Sequence, residues 1–421
     1  MTENKKIKLP ELLAPAGNPE RLYAALKFGA DAVYVGAPTM SLRNFADNFT
    51  FPELKEACEF AHARGKRIYL ACNAFAHNSD IDSLPELLLN ARDCKIDALI
   101  INDPGVIAVA KRVTPELELH LSTQANTLNY ECARFWHETV GIKRIVLARE
   151  LSLSEIREIK EKSPETLEFE AFVHGAMCIS FSGRCLLSNY LTGRDANRGE
   201  CAQPCRWSYE LRESGKDGEY YPIEQDERGT HILNSKDLMM IEHLPEVIAS
   251  GVCSLKIEGR MKSVMYVSTA VNAYRMALDL YAKSVEEGKE FSLPKEIRNE
   301  LNMVSHRPYT TGFYFGNPKE GGQSTLTSKY VADCEISAVV LDYDEEKRVA
   351  LVRQRNKFFV GDELSILAPY DVGRSFKVTD IIDENGEHLP SAPHPNQHVY
   401  IPCEQPLKQG DIFRKVKYND E

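Results

Sequence analysis

The segment CSLKIEG, residues 253–259, is the eighth in a series of short apolar strands, and it decides between two arrangements of this chain. Each of the seven earlier segments is followed by a turn and an amphipathic stretch. Alternating strands and helices indicate a parallel sheet with right-handed crossovers. The earlier segments are ELLAPAG (11–17), AVYVGA (32–37), RIYLACN (67–73), ALIIND (98–103), LELHLSTQAN (117–126), RIVLARE (144–150) and LEFEAFVHG (167–175).

Eight strand–helix units predict an α/β fold, a closed (β/α)8 barrel of the TIM type. The alternative is an open doubly wound sheet, but no glycine-rich dinucleotide fingerprint follows the first strand. Helices are expected in stretches such as NPERLYAALKFG (18–29) and FPELKEACEFAHARG (51–65). Pro19 stands at a helix start, and Gly29 and Gly65 at helix ends, as capping prefers.

The sequence predicts two domains and a cysteine-rich insertion. The barrel is expected to span residues 8–305, with the insertion at about 176–250, far longer than an ordinary crossover. Beyond residue 320, apolar and polar residues alternate between turn signals, which predicts a small antiparallel β-barrel over residues 326–421. Residues 306–325 would connect the two domains.

Composition indicates an ordinary globular protein. The 421 residues carry a net charge of −11, and 43% of them are hydrophobic. The N-terminal residues lack an apolar run typical of a signal peptide, and no later run is long enough to span a bilayer. We therefore expect a cytoplasmic protein that binds neither membrane nor DNA. The negative net charge of the whole chain is still compatible with a local basic site that binds RNA.

Four of the eleven cysteines lie in the insertion, just after the seventh strand, where barrels place their chemistry. Reduced cytosolic thiols argue against disulfides. In the spacing C-x6-C-x15-C-x3-C, only the second pair is typical of a zinc site. The whole spacing suits an iron–sulfur cluster at least as well as it suits zinc. Zinc, a lone catalytic thiol and buried structural cysteines remain alternatives. These cysteines are Cys178, Cys185, Cys201 and Cys205.

The same insertion is rich in arginine and aromatic residues, a combination that suits phosphate contacts and base stacking. A solvated loop with ion pairs is the alternative. A second basic stripe, Arg353, Arg355 and Lys357, is more typical of a solvated strand face. The candidate RNA-binding residues are Arg184, Arg194, Arg198, Arg206 and Trp207.

Polar residues end several of the predicted strands: Asn73, Asn102 and Asp103, Arg149 and Glu150, and His174. The period of two places His120, Ser122, Gln124 and Asn126 on one face of the fifth strand, and Lys256, Glu258 and Arg260 on one face of the eighth. These faces predict a polar barrel mouth that binds or reacts with a ligand. The alternative is an ion network that only fills the barrel.

The stretch EAFVHGAMCISFSGRCLLS (170–188) resembles the signature of the collagenase-like peptidase family U-32. The resemblance covers roughly residues 8–320, and the C-terminal domain is similar to that of longer members. Further similar stretches are ELLAPAGN, NRGECAQPCRW, SLKIEGRMKS and RPYTTGFYFG. The signature positions are filled by Glu170, Phe172, Gly175, Ala176, Met177, Cys178, Gly183, Cys185, Leu187 and Ser188.

The resemblance implies two competing functions. A peptidase has little support from motifs, because neither H-E-x-x-H nor G-x-S-x-G is present. The chain is more similar to the branch that converts the wobble uridine of tRNA to 5-hydroxyuridine, with prephenate as an associated metabolite. That branch implies tRNA as partner and the four cysteines as ligands of a 4Fe–4S cluster, with zinc as the alternative. A non-catalytic subunit that acts with a shorter family paralogue is a third possibility.

Strand position suggests roles for the polar mouth in this setting. Asn73 and Gln124 are candidates for reading a uracil flipped out of its stack. Arg149, Lys256 and Arg260 are candidate anchors for an anionic metabolite such as prephenate, which would serve as co-substrate. The candidate proton-transfer residues are His174, Glu150 and Glu258.

Overall fold

The barrel predicted from the sequence is present. The computed structural model describes residues 8–36, 40, 48–178, 185–194, 196–206, 225–226, 229–230, 235–318 and 332–416. Strands β1 to β7 pair in order and in parallel, and β11 pairs with both β7 and β1, which closes the ring. The barrel strands are β1 (Glu11–Pro15), β2 (Ala32–Gly36), β3 (Arg67–Cys72), β4 (Ala98–Ile101), β5 (Glu118–Leu121), β6 (Arg144–Val146), β7 (Glu168–Ala176) and β11 (Ser254–Ile257).

Helices surround the barrel, and local capping explains where they begin. In the first helix, the Asn18 side chain accepts from the Arg21 N–H and Pro19 is the first residue. In the second, Thr50 and Glu53 form a capping box. The helices are α1 (Pro19–Lys27), α2 (Phe51–His62), α3 (Asn78–Ile81), α4 (Leu84–Asp93), α5 (Pro104–Val113), α6 (Tyr130–Arg134), α7 (Leu153–Glu161), α8 (Leu187–Thr192), α9 (Leu244–Ala249), α10 (Val264–Glu286) and α11 (Lys295–Glu300).

None of the described helices has both the length and the apolar character needed to cross a lipid bilayer. Shorter turns complete the helical structure. Three-residue 3-10 turns lie at Thr123–Ala125, Ala196–Arg198, Pro204–Arg206 and Ile241–His243, and a π-helical turn follows α6 at Phe135–Thr139.

Strand β7 is longer than its neighbours and carries two further strands beyond the barrel. β10 (Asp237–Met239) pairs antiparallel with the end of β7, and β12 (Tyr309–Thr310) pairs with β10 in parallel. Next to this extension, the backbone N–H and the guanidinium of Arg307 donate to the Asp237 carboxylate, with a closest distance of 2.6 Å. Both side chains are buried. A separate small hairpin is formed by β8 (Gln225–Asp226) and β9 (Gly229–Thr230).

The C-terminal domain is antiparallel, as predicted, and its main sheet curves into a half-barrel. Six strands pair in the order β17, β16, β20, β13, β14 and β19, over a core that includes Val340, Val352, Ile366, Val399 and Phe413. The remaining strands, β15 and β18, form a pair of their own. The strands are β13 (Cys334–Asp344), β14 (Val349–Gln354), β15 (Phe358–Phe359), β16 (Glu363–Leu367), β17 (Arg374–Lys377), β18 (Ser391–Ala392), β19 (His398–Pro402) and β20 (Ile412–Val416).

Charged residues dock the C-terminal domain onto the barrel. Arg353 and Arg355, expected on a solvated face, both donate to the Glu20 carboxylate in the first turn of α1. The expectation was wrong for these two arginines, because both contact the barrel domain, whereas Lys357 is exposed as expected. Lys27 pairs with Asp411 at 2.7 Å at the other end of α1. The contacts at both ends of one helix fix the orientation of the C-terminal domain.

The buried pair of Arg307 and Asp237 predicts a large effect on stability. Replacing Arg307 with Met leaves the Asp237 carboxylate buried without a charged partner, although the backbone N–H of residue 307 still donates to it. The substitution should lower the free energy of unfolding by about 3–5 kcal/mol. Urea denaturation measures the difference. Arg348→Met is the matched control, because Arg348 pairs with Glu404 at the surface. The control should change the free energy by less than about 1 kcal/mol. Equal losses in the two variants would contradict this interpretation.

Candidate functional site

An ion network fills the lower part of the barrel interior. The Arg144 guanidinium, almost fully buried, lies 2.6 Å from Glu11, 2.9 Å from Glu168 and 3.4 Å from Glu170. The Lys256 ammonium donates to Glu170 at 2.8 Å. The network joins residues of β1, β6, β7 and β11. Lys256, predicted to anchor an anionic ligand, is therefore already neutralised by a buried carboxylate.

The charge of Glu170 is maintained by its partners. Burial alone would raise the pKa of this carboxyl, but the charges of Lys256 and Arg144 outweigh burial and hold the pKa below its usual value. Because the buried charges have partners, they need no ligand for compensation. For this part of the barrel, the structure follows the alternative interpretation, an ion network that fills the interior.

The predicted charged face of the eighth strand does not continue to the mouth. β11 ends at Ile257, and its pairing with β7 shifts register between Lys256 and Ile257. Because the strand ends there, the two-residue alternation that was expected to align Lys256, Glu258 and Arg260 does not extend past Ile257. Glu258 instead follows the strand, and its N–H donates to the carbonyl of His174 at 2.9 Å.

Amide side chains line the mouth above the network. Side chains alternate between the two faces of a strand, so Asn73 is on the same face as the inward-facing Tyr69. By the same alternation, Asn102 is on the face of the inward-facing Ile100. The Asn73 Nδ2 donates to Ser122 Oγ at 3.2 Å, which joins the ends of β3 and β5. Since β4 lies between these strands, Asn102 belongs to the same group.

The fifth strand is shorter than predicted. It ends at Leu121, and the Ser122 side chain begins a 3-10 turn by accepting from the N–H of Gln124. Asn126 ends the turn with a left-handed backbone, φ +53°. The expected face of His120, Ser122, Gln124 and Asn126 is therefore wrong beyond Ser122. Gln124 is nonetheless buried beside the mouth.

Four buried oxygens at the ends of β3 to β6 have no hydrogen-bond partner among the described residues. They are Asn73 Oδ1, Asn102 Oδ1, Gln124 Oε1 and Glu150 Oε2. Burial raises the pKa of Glu150 and favours its neutral form. A buried acceptor without a partner is costly, so such a group indicates a ligand that donates hydrogen bonds.

Sequence reasoning noted Asn102 but gave it no role. Its neighbour Asp103 has a local one, because its side chain caps α5 by accepting from the N–H groups of Gly105 and Val106. The sequence itself distinguishes the roles of Asn102 and Asp103. Asn102 continues the inward alternation of β4, whereas Asp103 stands directly before a helix-starting proline.

The two arginines proposed as anchors lie at the same end of the barrel. Arg149 Nη1 donates to the Ala176 carbonyl at 2.7 Å, and its guanidinium lies over the Phe172 ring. Arg260 is buried, and its carbonyl accepts from Arg21 at 3.1 Å. Arg149 thus holds the end of β7 just before Cys178. The role of both arginines as ligand anchors stays a prediction.

His174 lies in an aromatic enclosure rather than among the polar groups of the mouth. Its ring is fully buried against Tyr266, Tyr274 and Tyr309, with centroids 5.5–5.8 Å apart. Neither ring nitrogen has a hydrogen-bond partner in the described part of the chain. Burial lowers the pKa of His174 to about 3, so the ring is neutral at physiological pH. The predicted proton-transfer role remains untested.

Gly175 allows the close approach of Glu258 to this region. Its φ of +108° is left-handed, and a Cβ there would lie 2.7 Å from the Glu258 carbonyl oxygen. The Tyr266 hydroxyl donates to the same carbonyl. These contacts fix the backbone of Glu258, while the proton-transfer role of its carboxylate stays a prediction.

The four clustered cysteines lie on segments after β7 and form no disulfide bond within the described part of the chain. Cys178 and Cys201 are exposed, whereas Cys185 and Cys205 are half-buried. The turn that carries Cys205 packs against α8, and the Ala202 N–H donates to Ser188 Oγ on that helix. Among the described residues, no three His, Cys, Asp or Glu side chains are close enough to hold a metal ion. The donor chemistry of four thiols nevertheless fits a soft metal or an iron–sulfur cluster.

The candidate RNA-binding residues are placed unequally. Arg198 is engaged within the chain, since Nη1 donates to the Phe75 carbonyl at 3.0 Å and the guanidinium pairs with Asp80 at 2.9 Å. This pair joins the insertion to the loop after β3. Arg194 donates from Nε to the Glu200 carbonyl. Arg206 ends a 3-10 turn. Its side chain, Arg184 and Trp207 lie outside the described residues.

Comparison with protein families assigns both parts of the chain. Residues 17–324 match the profile described as Peptidase family U32. Residues 332–414 match the profile described as Peptidase family U32 C-terminal domain. The resemblance seen in the sequence is therefore confirmed.

Individual relatives match over nearly their whole length. The chain is 42% identical to "tRNA hydroxylation protein P1" of Bacillus subtilis over 411 residues, which cover 97% of this chain and 96% of the relative. It is 35% identical to "tRNA hydroxylation protein P" of Escherichia coli, with 95% of each chain covered. It is also 33% identical to "Collagenase" of Porphyromonas gingivalis, over 98% of this chain and 99% of the relative.

Neutral His174 predicts a specific pH dependence of stability. Between about pH 6.5 and pH 4.5 the unfolded chain binds a proton at this residue that the folded chain does not. This residue should therefore lower the free energy of unfolding by up to about 1.4 kcal/mol for each pH unit of acidification. In His174→Phe, urea denaturation should show a correspondingly shallower pH dependence.

The exposed His394 provides the control for this measurement. His394→Gln should retain the pH dependence of the wild type. Parallel curves for His174→Phe and the wild type would show that the buried imidazole does not set the acid response.

Proposed function

The chain belongs to peptidase family U32, and from that premise we propose that it is a tRNA-modifying enzyme that hydroxylates wobble uridine to 5-hydroxyuridine. The observation that carries the proposal is the likeness to tRNA hydroxylation protein P1 of B. subtilis over nearly the full length of both chains. The mouth of the barrel supports it, because its unpartnered oxygens suit a ligand with N–H groups. A tRNA substrate also implies a cytoplasmic protein.

The residues of the mouth would bind and orient the base. A uridine must leave its stack to reach a barrel interior, and buried amides can then bond its edge. Glu150 follows β6 at the same end of the barrel, and its raised pKa makes it a candidate to donate a proton and to take one back. The ion network beneath would close the base of the site against water.

The four cysteines of the insertion are the proposed ligands of a 4Fe–4S cluster, with zinc as the alternative. They are Cys178, Cys185, Cys201 and Cys205, which follow β7 at the carboxyl end of the barrel strands. When bound, such a cluster would supply electron transfer or polarise a substrate oxygen. Arg149 supports the site, because its bond to the Ala176 carbonyl holds the backbone two residues before Cys178.

A small anionic metabolite such as prephenate is the proposed co-substrate. Guanidinium groups bind carboxylates in pairs of hydrogen bonds, and Arg149 and Arg260 both lie near the carboxyl ends of the strands. Lys256 is the weakest of the three proposed anchors, since Glu170 already accepts a hydrogen bond from its ammonium group. RNA contacts from the insertion would come from Arg184, Arg194, Arg206 and Trp207, with Arg198 available only if Asp80 releases it.

Membership of the family raises two alternative functions. The likeness to the P. gingivalis collagenase favours a peptidase. The family resemblance also allows a non-catalytic subunit that needs a shorter paralogue. The three functions differ in what a cell loses when the chain is absent, and this difference allows a direct test.

Mass analysis of tRNA nucleosides from a deletion strain tests the proposed function. We expect derivatives of 5-hydroxyuridine to disappear and to return when the wild-type chain is expressed. Cys201→Ser should fail to restore them, because one of four thiolates would be missing. Cys132→Ser, on α6 and outside the insertion, should restore them fully.

The alternatives predict other outcomes of the same experiment. Unchanged nucleosides, together with gelatin cleavage that is lost in Cys178→Ala, would favour the peptidase. Restoration only on co-expression with a shorter paralogue would indicate the non-catalytic subunit.

Anaerobic purification tests the cluster separately. The wild-type protein should be coloured and contain iron and acid-labile sulfide in equal amounts, as a 4Fe–4S cluster requires. Cys201→Ser should lose most of this iron, whereas Cys132→Ser should keep it. A colourless, iron-free protein that still modifies tRNA would exclude the cluster, and stoichiometric zinc in its place would support the alternative metal.

A further inference from the structure

The three amides of the mouth come from successive barrel strands and present similar groups. Asn73 follows β3, Asn102 follows β4 and Gln124 lies in the turn after β5. Asn102 and Gln124 are 8% and 6% exposed. In each of the three, the amide oxygen is buried without a hydrogen-bond partner among the described residues. Three adjacent uncompensated acceptors require an explanation.

The chemistry of these amides favours a planar, neutral ligand over an ion. A small anion would meet the oxygens of the amides, which repel it. A cation would find no charge on the three amides, because a side-chain amide is neutral. A side-chain amide offers one acceptor and two donors on the same group. It therefore matches an edge in which an N–H lies beside a carbonyl.

Uracil has such an edge, and cytosine does not. The Watson–Crick edge of uracil presents a donor between two acceptors, whereas that of cytosine replaces the first acceptor by an amino donor and the central donor by an acceptor. An amide that is held in one orientation distinguishes the two bases. The bond from Asn73 Nδ2 to Ser122 Oγ leaves the oxygen of Asn73 as its free acceptor.

We propose that Asn102, between Asn73 and Gln124, is a specificity-determining residue that reads the N–H and carbonyl groups of uracil and makes this mouth prefer uridine to cytidine. The inference rests on the proposed function for its RNA substrate. Asn102 is the central member because β4 lies between β3 and β5, and Asn102 continues the alternation of Ala98 and Ile100 directly after β4.

The test uses the full chain and two anticodon stem–loop RNAs that differ only in uridine or cytidine at the wobble position. Fluorescence anisotropy gives the two dissociation constants for each variant. The wild type should bind the uridine loop about tenfold more tightly, the discrimination expected of one good base contact. In Asn102→Asp, an acceptor replaces the donating amide nitrogen, so the preference should fall to about one or reverse toward cytidine. The exposed Asn299→Asp is the matched control and should keep the wild-type ratio.

Asn102→Leu separates recognition from folding. Leucine removes a buried acceptor that has no partner, so this variant should unfold at a urea concentration equal to or higher than the wild type while losing the preference for uridine. A purely structural asparagine would give lower stability with an unchanged ratio of dissociation constants.

The outcomes distinguish this inference from the proposed function. A wild-type ratio near one, or a ratio that Asn102→Asp and Asn102→Leu leave unchanged, overturns the inference even if tRNA nucleosides change in the deletion strain. A preference for uridine that depends on Asn102, with unaltered nucleosides in the deletion strain, supports the uracil site and overturns the proposed hydroxylation.

Discussion

Arg144 reaches three carboxylates inside the barrel, and the closure of the sheet depends on this compensation of buried charge. Its partners Glu11 and Glu170, with Lys256, belong to the strands that meet where β11 inserts between β7 and β1. A charge left alone in this interior would be far more costly than the pairing of two short strands. The network therefore selects the register at which the ring closes, in addition to filling its lower half.

The two halves of the barrel interior differ in whether their polar side chains have partners within the chain. Below, the side chains of the network have found partners within the chain, and little remains for a ligand to do. At the carboxyl ends of the strands, three amide oxygens and Glu150 Oε2 remain without hydrogen-bond partners in the described structure. A protein tolerates such groups where binding repays their burial. This contrast between paired and unpartnered groups indicates the position of the ligand site more clearly than any single residue does.

Sequence patterns predicted the elements well and the side-chain directions less well. Eight apolar segments were enough for the barrel, because a buried parallel strand is recognisable by its composition. The face of the fifth strand failed beyond Ser122, since a serine cap can start a turn within a run of polar residues. The face of the eighth failed because β11 ends at Ile257, so that Glu258 and Arg260 lie beyond the strand. The partners of Arg198 and Arg353 depend on contacts between distant segments, which periodicity does not encode.

The pairing of β10 with the end of β7 has a consequence for how this fold can diversify. Ala176 lies opposite Asp237, so the residues that precede and follow the segment 177–236 are paired neighbours at the end of β7. Closing a loop between fixed neighbours adds only about 0.6 kcal/mol for each doubling of its length. An insertion whose ends are fixed in this way can change in length and sequence at little cost to the stability of the barrel. Evolution or design can exchange its thiols and arginines for other chemistry while the scaffold that presents them stays intact.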